Sequence, residues 1–282
     1  MIIKRLTECS IDTMVEAWNK GFEGYFVPMN MTPDTFLNRL VSEGLSPELS
    51  LVAFAKEEPV GIVLNGFRTV NGKKTAWNGG TGVSPNFRGK GVSKLLMEEN
   101  LRLYENENVE IATLEAIKEN ERAIRLYQKN HYKISDELLF LNGNIQLEPA
   151  DSDVIKSVSV RPELLPHYSF YKEDAPWQCQ WQSLSKGEAK IFYGNNNLPV
   201  GYALYRRVWN MDGQLNQVLL YQLEILEESH LDYLPFIFSQ ISDGEVVDFR
   251  TINFSSINPV TKYLLENGFK ISTEQVQMIR IM

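Results

Sequence analysis

Residues 82–96 read Gly-Val-Ser-Pro-Asn-Phe-Arg-Gly-Lys-Gly-Val-Ser-Lys-Leu-Leu. Within them, Arg88, Gly89, Lys90, Gly91, Val92 and Ser93 place two cations and three small residues between a strand-like run and a helix-spaced one. Small residues let an anion approach the backbone. The free N–H groups at a helix start, with the helix dipole behind them, then point at it. The chemistry this suits is phosphate binding. A Walker A loop would need Gly at position 84 and Ser or Thr after Gly89-Lys90, where the chain has Ser84 and Gly91. A dinucleotide fingerprint on Gly89-x-Gly91 would need Gly at position 94, which is Lys94, and a βαβ order that the preceding hairpin-like strands lack.

A second constellation follows the next strand-like run, Val109–Ile117. It comprises Asn120, Ala123, Leu126, Tyr127 and Tyr132. Asn120 suits a helix N-cap and Tyr127 falls inside the helix. Packing alone would explain a Leu-Tyr pair on a helix, and capping alone would explain Asn120.

The elements that must position these residues are legible. Ser10 can cap a helix over about Ile11–Lys20, with Ile11, Met14, Val15 and Trp18 on one face. Thr32-Pro33 starts a second helix, stopped by Gly44. Strands follow as "LSLVAFAKE" and "PVGIVLNGFRTV", with a turn at Glu57-Glu58-Pro59. Asn71-Gly72 between strands predicts a tight hairpin with positive φ at both residues. "TAWNGGTGV" runs into the phosphate loop, and the next helix covers about Val92–Tyr104.

The second half repeats this order. "PVGYALYRRV" at 199–208 echoes "PVGIVLNGFR" at 59–68, and Asp212-Gly213 repeats the hairpin signal. "VTKYLLENGFK" at 260–270 echoes "AIRLYQKNHYK" at 123–133. Two copies of one domain, 1–145 and 146–282, is the economical reading, with a junction around 143–150. The phosphate loop is not repeated. Its place holds Glu227, Glu228, Ser229 and His230, which would repel a phosphate.

The 282 residues suffice for two domains, and 43% hydrophobic residues supply a sizeable core. The net charge of −8 speaks against nucleic acid as a partner. Residues 1–145 carry 17 Lys and Arg against 19 Asp and Glu, net −2, so most of the excess acid lies in the second half. No Asp or Glu lies between Glu58 and Glu98, whereas Arg68, Lys73, Lys74, Arg88, Lys90 and Lys94 do. An anionic ligand fits that window. Two distant cysteines, Cys9 and Cys179, suit a reducing, cytoplasmic location. Three scattered histidines show no metal-ligand spacing. No apolar run is long enough for a membrane span and the start shows no signal peptide.

The loop, read as Arg88, Gly91 and Ser93 of an R-x-x-G-x-[GA] motif, together with Asn120, Ala123, Leu126, Tyr127 and Tyr132, resembles the GNAT-type N-acetyltransferases. Ser93 stands where that family prefers Gly or Ala. His131 stands where it prefers Gly, so its backbone is expected in an unusual conformation. The resemblance implies an α/β (α+β type) fold of two tandem GNAT-like domains, each a mixed, mostly antiparallel sheet flanked by helices, with the second degenerate. It implies acetyl-CoA as co-substrate and no metal. The pyrophosphate would rest on the amides of 88–93, Val83 would bond the pantetheine and offer an amide to the carbonyl oxygen, and Asn120 would hold the cofactor opposite. Tyr127 would protonate the leaving thiolate. One cofactor per chain follows from the degraded second loop.

The acceptor implied is a primary amine, of a small molecule or a peptide amino terminus. An amine of pKa about 10.4 sheds its proton near neutrality at a cost of about 4–5 kcal/mol, so a base is expected. Glu115, between the two motifs, is the carboxylate placed for it; a solvated strand-end carboxylate is the plain alternative. Phe22, Tyr25, Phe26 and Met29, in the loop after the first helix, would wall the acceptor site or else pack between domains. The competing function is a non-catalytic acyl-CoA-binding module. Monomer and homodimer are both compatible with the sequence.

Overall fold

The computed structural model describes residues 1–145, 155–184 and 186–282; the expected junction, from 146 onward, lies outside them. The chain forms two compact units: Met1–Ser135 with Val276–Met282, and Asp136–Gln275. These differ from a linear cut at 145. The first unit ends ten positions earlier and takes back the end of the chain.

The first unit runs β1 (Ile2–Arg5), α1 (Ile11–Gly21), α2 (Pro33–Ser42), β2 (Leu51–Ala55), β3 (Glu58–Val70), β4 (Lys73–Val83), α3 (Val92–Asn106), β5 (Ile111–Ile117) and α4 (Glu121–Lys129), and enters β6 (Lys133–Gly143). The second runs β7 (Ile155–Val160), β8 (Glu188–Gly194), β9 (Pro199–Trp209), β10 (Leu215–Ile225), α5 (Leu234–Ile241), β11 (Asp248–Thr251), β12 (Phe254–Ser255), α6 (Pro259–Glu266) and β13 (Lys270–Ile281), whose last residues belong to the first unit.

Local chemistry sets the helix ends. The Ser10 hydroxyl accepts from Thr13 N–H at 3.2 Å, and the Thr32 hydroxyl from Thr35 N–H at 3.3 Å with Pro33 behind it. Both satisfy donors that a helix start leaves open. Asn71 and Gly72 hold φ of 49° and 75°, as a tight hairpin requires. At the second hairpin Gly213 alone is left-handed, and Asn210 N–H closes a longer loop on Gln214.

In the first unit the strand order is β1-β2-β3-β4-β5-β13. Pairing is antiparallel from β1 through β4, and β4 with β5 is parallel. The second unit has β6-β11-β10-β9-β8-β7, with β10 and β11 the parallel pair. The outer edge of β5 is thus covered by the end of the chain, where Met282 N–H donates to Glu110 at 3.0 Å. The edge of β11 is covered by residues of β6. Each edge needs a partner for its open N–H and C=O groups, and in each unit a strand distant in sequence supplies it. Val276 and Met278 accordingly pack with Ala112, Leu114, Leu96 and Tyr127 in the first core, while Leu139 and Leu141 pack with Phe249 and Phe238 in the second. Neither Cys9 nor Cys179 is in a disulfide. Among the described residues no helix is long and apolar enough to cross a membrane.

Candidate active site

β4 and β5 pair only over Thr75–Asn78 with Ile111–Leu114, although β4 continues to Val83 and β5 to Ile117. Beyond Asn78 and Leu114 the two strands part. The cause lies on the other side of β4. There the register against β3 jumps from Leu64↔Gly80 to Asn65↔Asn78, leaving Gly79 as an extra, bulged residue. A bulge bends its strand and raises the local twist. Ser84 N–H donates to the Val60 carbonyl at 2.9 Å, so β4 turns the alternate residues, Val83 and Thr81, away from β3 and toward the gap.

Glycine makes room for the first helix. A Cβ on Gly80 would lie 2.8 Å from the Trp18 ring, and one on Gly82 would lie 2.8 Å from Phe22 and 2.9 Å from the Gly21 backbone. α1 therefore lies directly on the splayed end of β4.

After Val83 a 3-10 turn, Pro85–Phe87, leads into the loop. Gly89 and Gly91 both adopt left-handed backbone, φ 79° and 85°, and Gly91 is the N-cap of α3. A Cβ on Gly91 would meet nothing within 4 Å, so its surroundings are open. Leu95 is the first N–H of α3 to reach a helix carbonyl, that of Gly91; the N–H groups of Val92, Ser93 and Lys94 precede it and have no carbonyl within the helix. The first turn holds no acidic side chain. Left-handed glycines and open amides at a helix start are the geometry that a phosphate cradle would need. Arg88 departs from the expectation that it adds charge there. Its Nε donates to the Val83 carbonyl at 2.8 Å, and its Nη2 donates to the Glu23 and Gly21 carbonyls at 2.6 and 3.3 Å. Its own N–H turns back to Pro85. Arg88 thus ties the loop to the carboxyl end of α1, where a cation is favoured. Lys90 lies with its ammonium 5.5 Å from the centre of the Phe87 ring.

Asn120 caps α4, accepting from Ala123 N–H at 3.2 Å. The helix closes in a Schellman arrangement: Tyr132 N–H donates to Tyr127 and His131 N–H to Gln128. His131 holds φ of 64°, the left-handed conformation its place in the motif predicts. Tyr127 is buried, its ring 6.0 Å from Tyr132. Burial pushes its hydroxyl up to about 12, tempered by the Thr81 side chain that it faces on β4. Thr81 is itself hydrogen-bonded to Asn78 at 2.8 Å. The Tyr127 hydroxyl therefore stands at the strand that borders the gap.

Glu115 follows directly on the last paired residue of β5. Ala112, Leu114 and Ala116 share the core with Tyr127, so strand alternation sends Glu115 to the opposite face of the sheet. There Trp77 Nε1–H donates to Glu115 Oε2 at 2.7 Å, while Oε1 is sealed from solvent with no hydrogen-bond partner. Burial pushes this carboxyl up to about 7; the Trp77 hydrogen bond restrains the rise and the nearby Glu43 charge adds to it. Arg39 of α2 stacks 4.5 Å over Trp18, pairs with Glu43 at 2.9 Å, and donates to the bulged Gly79 carbonyl at 2.7 Å. Sequence reasoning missed Trp77, Thr81 and Arg39. Trp77 was discoverable only from register: it lies opposite Thr113, on whose face Glu115 also sits.

The four acceptor-loop residues divide. Phe22 is buried, 4.1 Å from Trp18 by ring centres, and packs α1 on β4. Tyr25 is half-buried and its hydroxyl faces the Asn120 side chain. Phe26 is exposed, its ring edge-on to Tyr25 at 5.4 Å. Met29 contributes its carbonyl, which accepts from Trp18 Nε1–H at 2.7 Å. Of the four, Phe22 packs on the back of the splayed end of β4 and Tyr25 reaches Asn120.

The left-handed glycines, the free amides of 92–94 and the parted strands fit a diphosphate followed by an extended amide-bearing arm, which is the shape of acetyl-CoA. Among the described residues no group of three or more His, Cys, Asp or Glu is arranged to hold a metal ion.

Comparison with known proteins agrees with this fold. Residues 11–132 match the acetyltransferase (GNAT) family. The acetyltransferase PseH of Campylobacter jejuni is 34% identical over 104 residues, which cover 36% of this chain and 60% of that relative. Among solved structures, a GCN5-related N-acetyltransferase from Sphaerobacter thermophilus superposes with a TM-score of 0.63 at 14% identity, covering 99% of this chain and 95% of the other. A tandem GNAT protein from the clavulanic acid biosynthesis pathway gives 0.59 at 12% identity, covering 99% and 97%. At such identities the structures speak for the fold alone, and that fold includes the tandem form. The match to the acetyltransferase (GNAT) family thus spans the whole candidate site, from α1 to Tyr132.

Proposed function

We propose that the first unit transfers an acetyl group from acetyl-CoA to a primary amine, of a small molecule or an amino terminus, by direct attack in a ternary complex. The observation that carries this reading is the parting of β4 and β5 after Asn78 and Leu114, with the Tyr127 hydroxyl at Thr81 on one face and the Glu115 carboxyl on the other. Acetyl-CoA supplies an activated thioester. The chain supplies the rest. The amides of Val92–Lys94 and the left-handed glycines hold the diphosphate. The Val83 carbonyl is committed to Arg88, which leaves its N–H facing the gap as a donor for the charge that builds on the carbonyl oxygen.

Glu115 takes the proton of the attacking ammonium. A carboxyl near 7 is half-ionised at neutral pH and matched to that transfer, whereas an ordinary carboxylate is a weaker base. Tyr127 keeps its proton throughout the neutral range and donates a hydrogen bond to the departing sulfur. Full transfer from a phenol near 12 to a thiolate runs uphill, so its help grows only as charge accumulates on sulfur. We also assign one cofactor to each chain. A thiol-release assay across a panel of amines, with calorimetry for stoichiometry, tests the reading. Tight binding of the cofactor without turnover of any amine would make the chain a binding module instead.

A further inference from the structure

We infer that Arg122, at the start of α4, is the side chain that pairs with the cofactor diphosphate, the part that the loop motif gives to Arg88. The inference rests on reading residues 89–94 as the diphosphate cradle. Arg88 has three backbone carbonyls within hydrogen-bond distance of its Nε and Nη2, all on the stem of the loop and the end of α1. With Nε and Nη2 both engaged, it cannot turn that two-nitrogen edge to a phosphate without loosening the tie between the loop and α1. Arg122 has no such commitment. Its Nη2 lies 3.7 Å from the position a Cβ on Gly89 would occupy, so the guanidinium stands against the left-handed turn itself. It is exposed and, among the described residues, forms no ion pair, whereas its neighbour Arg125 is bonded to Glu121 at 2.8 Å.

The loop and α4 are separated in sequence by all of α3 and β5. The approach of Arg122 to Gly89 therefore brings one cation from the second motif to the amides of the first. A planar guanidinium can bridge two phosphate oxygens while backbone N–H groups take the others. Lys90, over the Phe87 ring, is a mobile point charge beside this arrangement and not a bidentate partner.

Titration calorimetry on the full chain tests this, with coenzyme A and 3′-dephospho-coenzyme A as the two ligands. Arg122→Ala should weaken both about tenfold and to the same extent, with an unchanged thermal midpoint, because the side chain is exposed. Arg122→Lys should recover part of the loss. Unchanged affinity of Arg122→Ala for both ligands overturns the inference. So does a loss confined to coenzyme A, which would move Arg122 to the 3′-phosphate. Wild-type chain that binds neither ligand overturns the cradle itself and the inference with it, so the two failures are told apart.

Discussion

The two units share a frame and differ at each position where chemistry would occur. Both bulge at the same register: β4 opposite Leu64 and Asn65, and β10 opposite Leu204 and Tyr205. Both pair in parallel with the next strand for four residues. Aligned on that register, the first unit's Gly79-Gly80-Thr81-Gly82 corresponds to Tyr221-Gln222-Leu223-Glu224. Glu115 corresponds to Ile252. Aligned on the repeat of the last helix, Tyr127 corresponds to Leu264. In the second unit the bulky residues fill their own surroundings. Gln222 Nε2–H donates to Cys179, Cys179 reaches the Ile252 carbonyl, and Glu224 pairs with Lys172 at 2.7 Å. The segment around Cys179 thus spans the place where the strands would otherwise part. No residue from Leu226 to Leu234 is left-handed, so the cradle is missing as well as the charge. The bulge and the parallel pair are therefore scaffold features; the open slot additionally needs glycine.

Giving the first unit the second unit's residues should break this contrast in graded steps. The largest effect is expected for Tyr127→Leu, with Tyr127→Phe as its conservative partner. Turnover should fall about 10²–10⁴-fold while calorimetric affinity for coenzyme A stays within about threefold. A Phe variant that turns over at the wild-type rate removes the acid from the mechanism.

Next comes Glu115→Gln, expected to cost about hundredfold in kcat and to abolish the acid limb near pH 7. It should also stabilise the fold at alkaline pH. The folded carboxyl titrates near 7 and the unfolded one near its ordinary value, so the folded state binds the extra proton between them. That contribution is complete below the unfolded value and is lost as pH rises through 7. Denaturant melts should therefore show the Gln variant ahead by on the order of 2 kcal/mol at pH 8 and level with wild type at pH 4.

Gly82→Ala, a first step toward Glu224, forces a methyl against Phe22 and the Gly21 backbone. About 1–3 kcal/mol of stability should go, measurable by chemical denaturation. If the variant is as stable as wild type, the close approach of α1 to β4 is not what the glycine serves. Trp77→Phe removes the indole hydrogen bond on Glu115 Oε2. The pH-rate profile should keep its plateau while its acid limb moves up by about one pH unit. The smallest effect is a gain. His131→Gly copies Gly268, which sits left-handed at the same place after α6, and should add about 1 kcal/mol by relieving a side chain from that conformation.

Much of the site was legible because it is built from local rules. The Asn71-Gly72 hairpin, the Ser10 and Thr32 caps, the left-handed loop glycines and the strained His131 all depend on residues within a few positions of one another. The roles of Arg88 and Phe22 were not legible that way. Whether a guanidinium meets a phosphate or a carbonyl depends on where the end of α1 lies, and that is set by Gly80 and Gly82 far along the chain.

The amino-acid sequence by itself determined the repeat, the glycine-rich loop, the helix that carries Tyr127 and the loss of the loop from the second half. Short-range sterics and side-chain periodicity specify each of these. Tertiary structure alone decided that Trp77 holds Glu115, that Tyr127 meets Thr81, that Arg122 reaches the loop, and that the end of the chain completes the first sheet. Those depend on strand register and on which strand covers which edge. Both follow from burying the sheet faces and pairing every backbone group at once, a condition on the whole chain that no short stretch of it expresses.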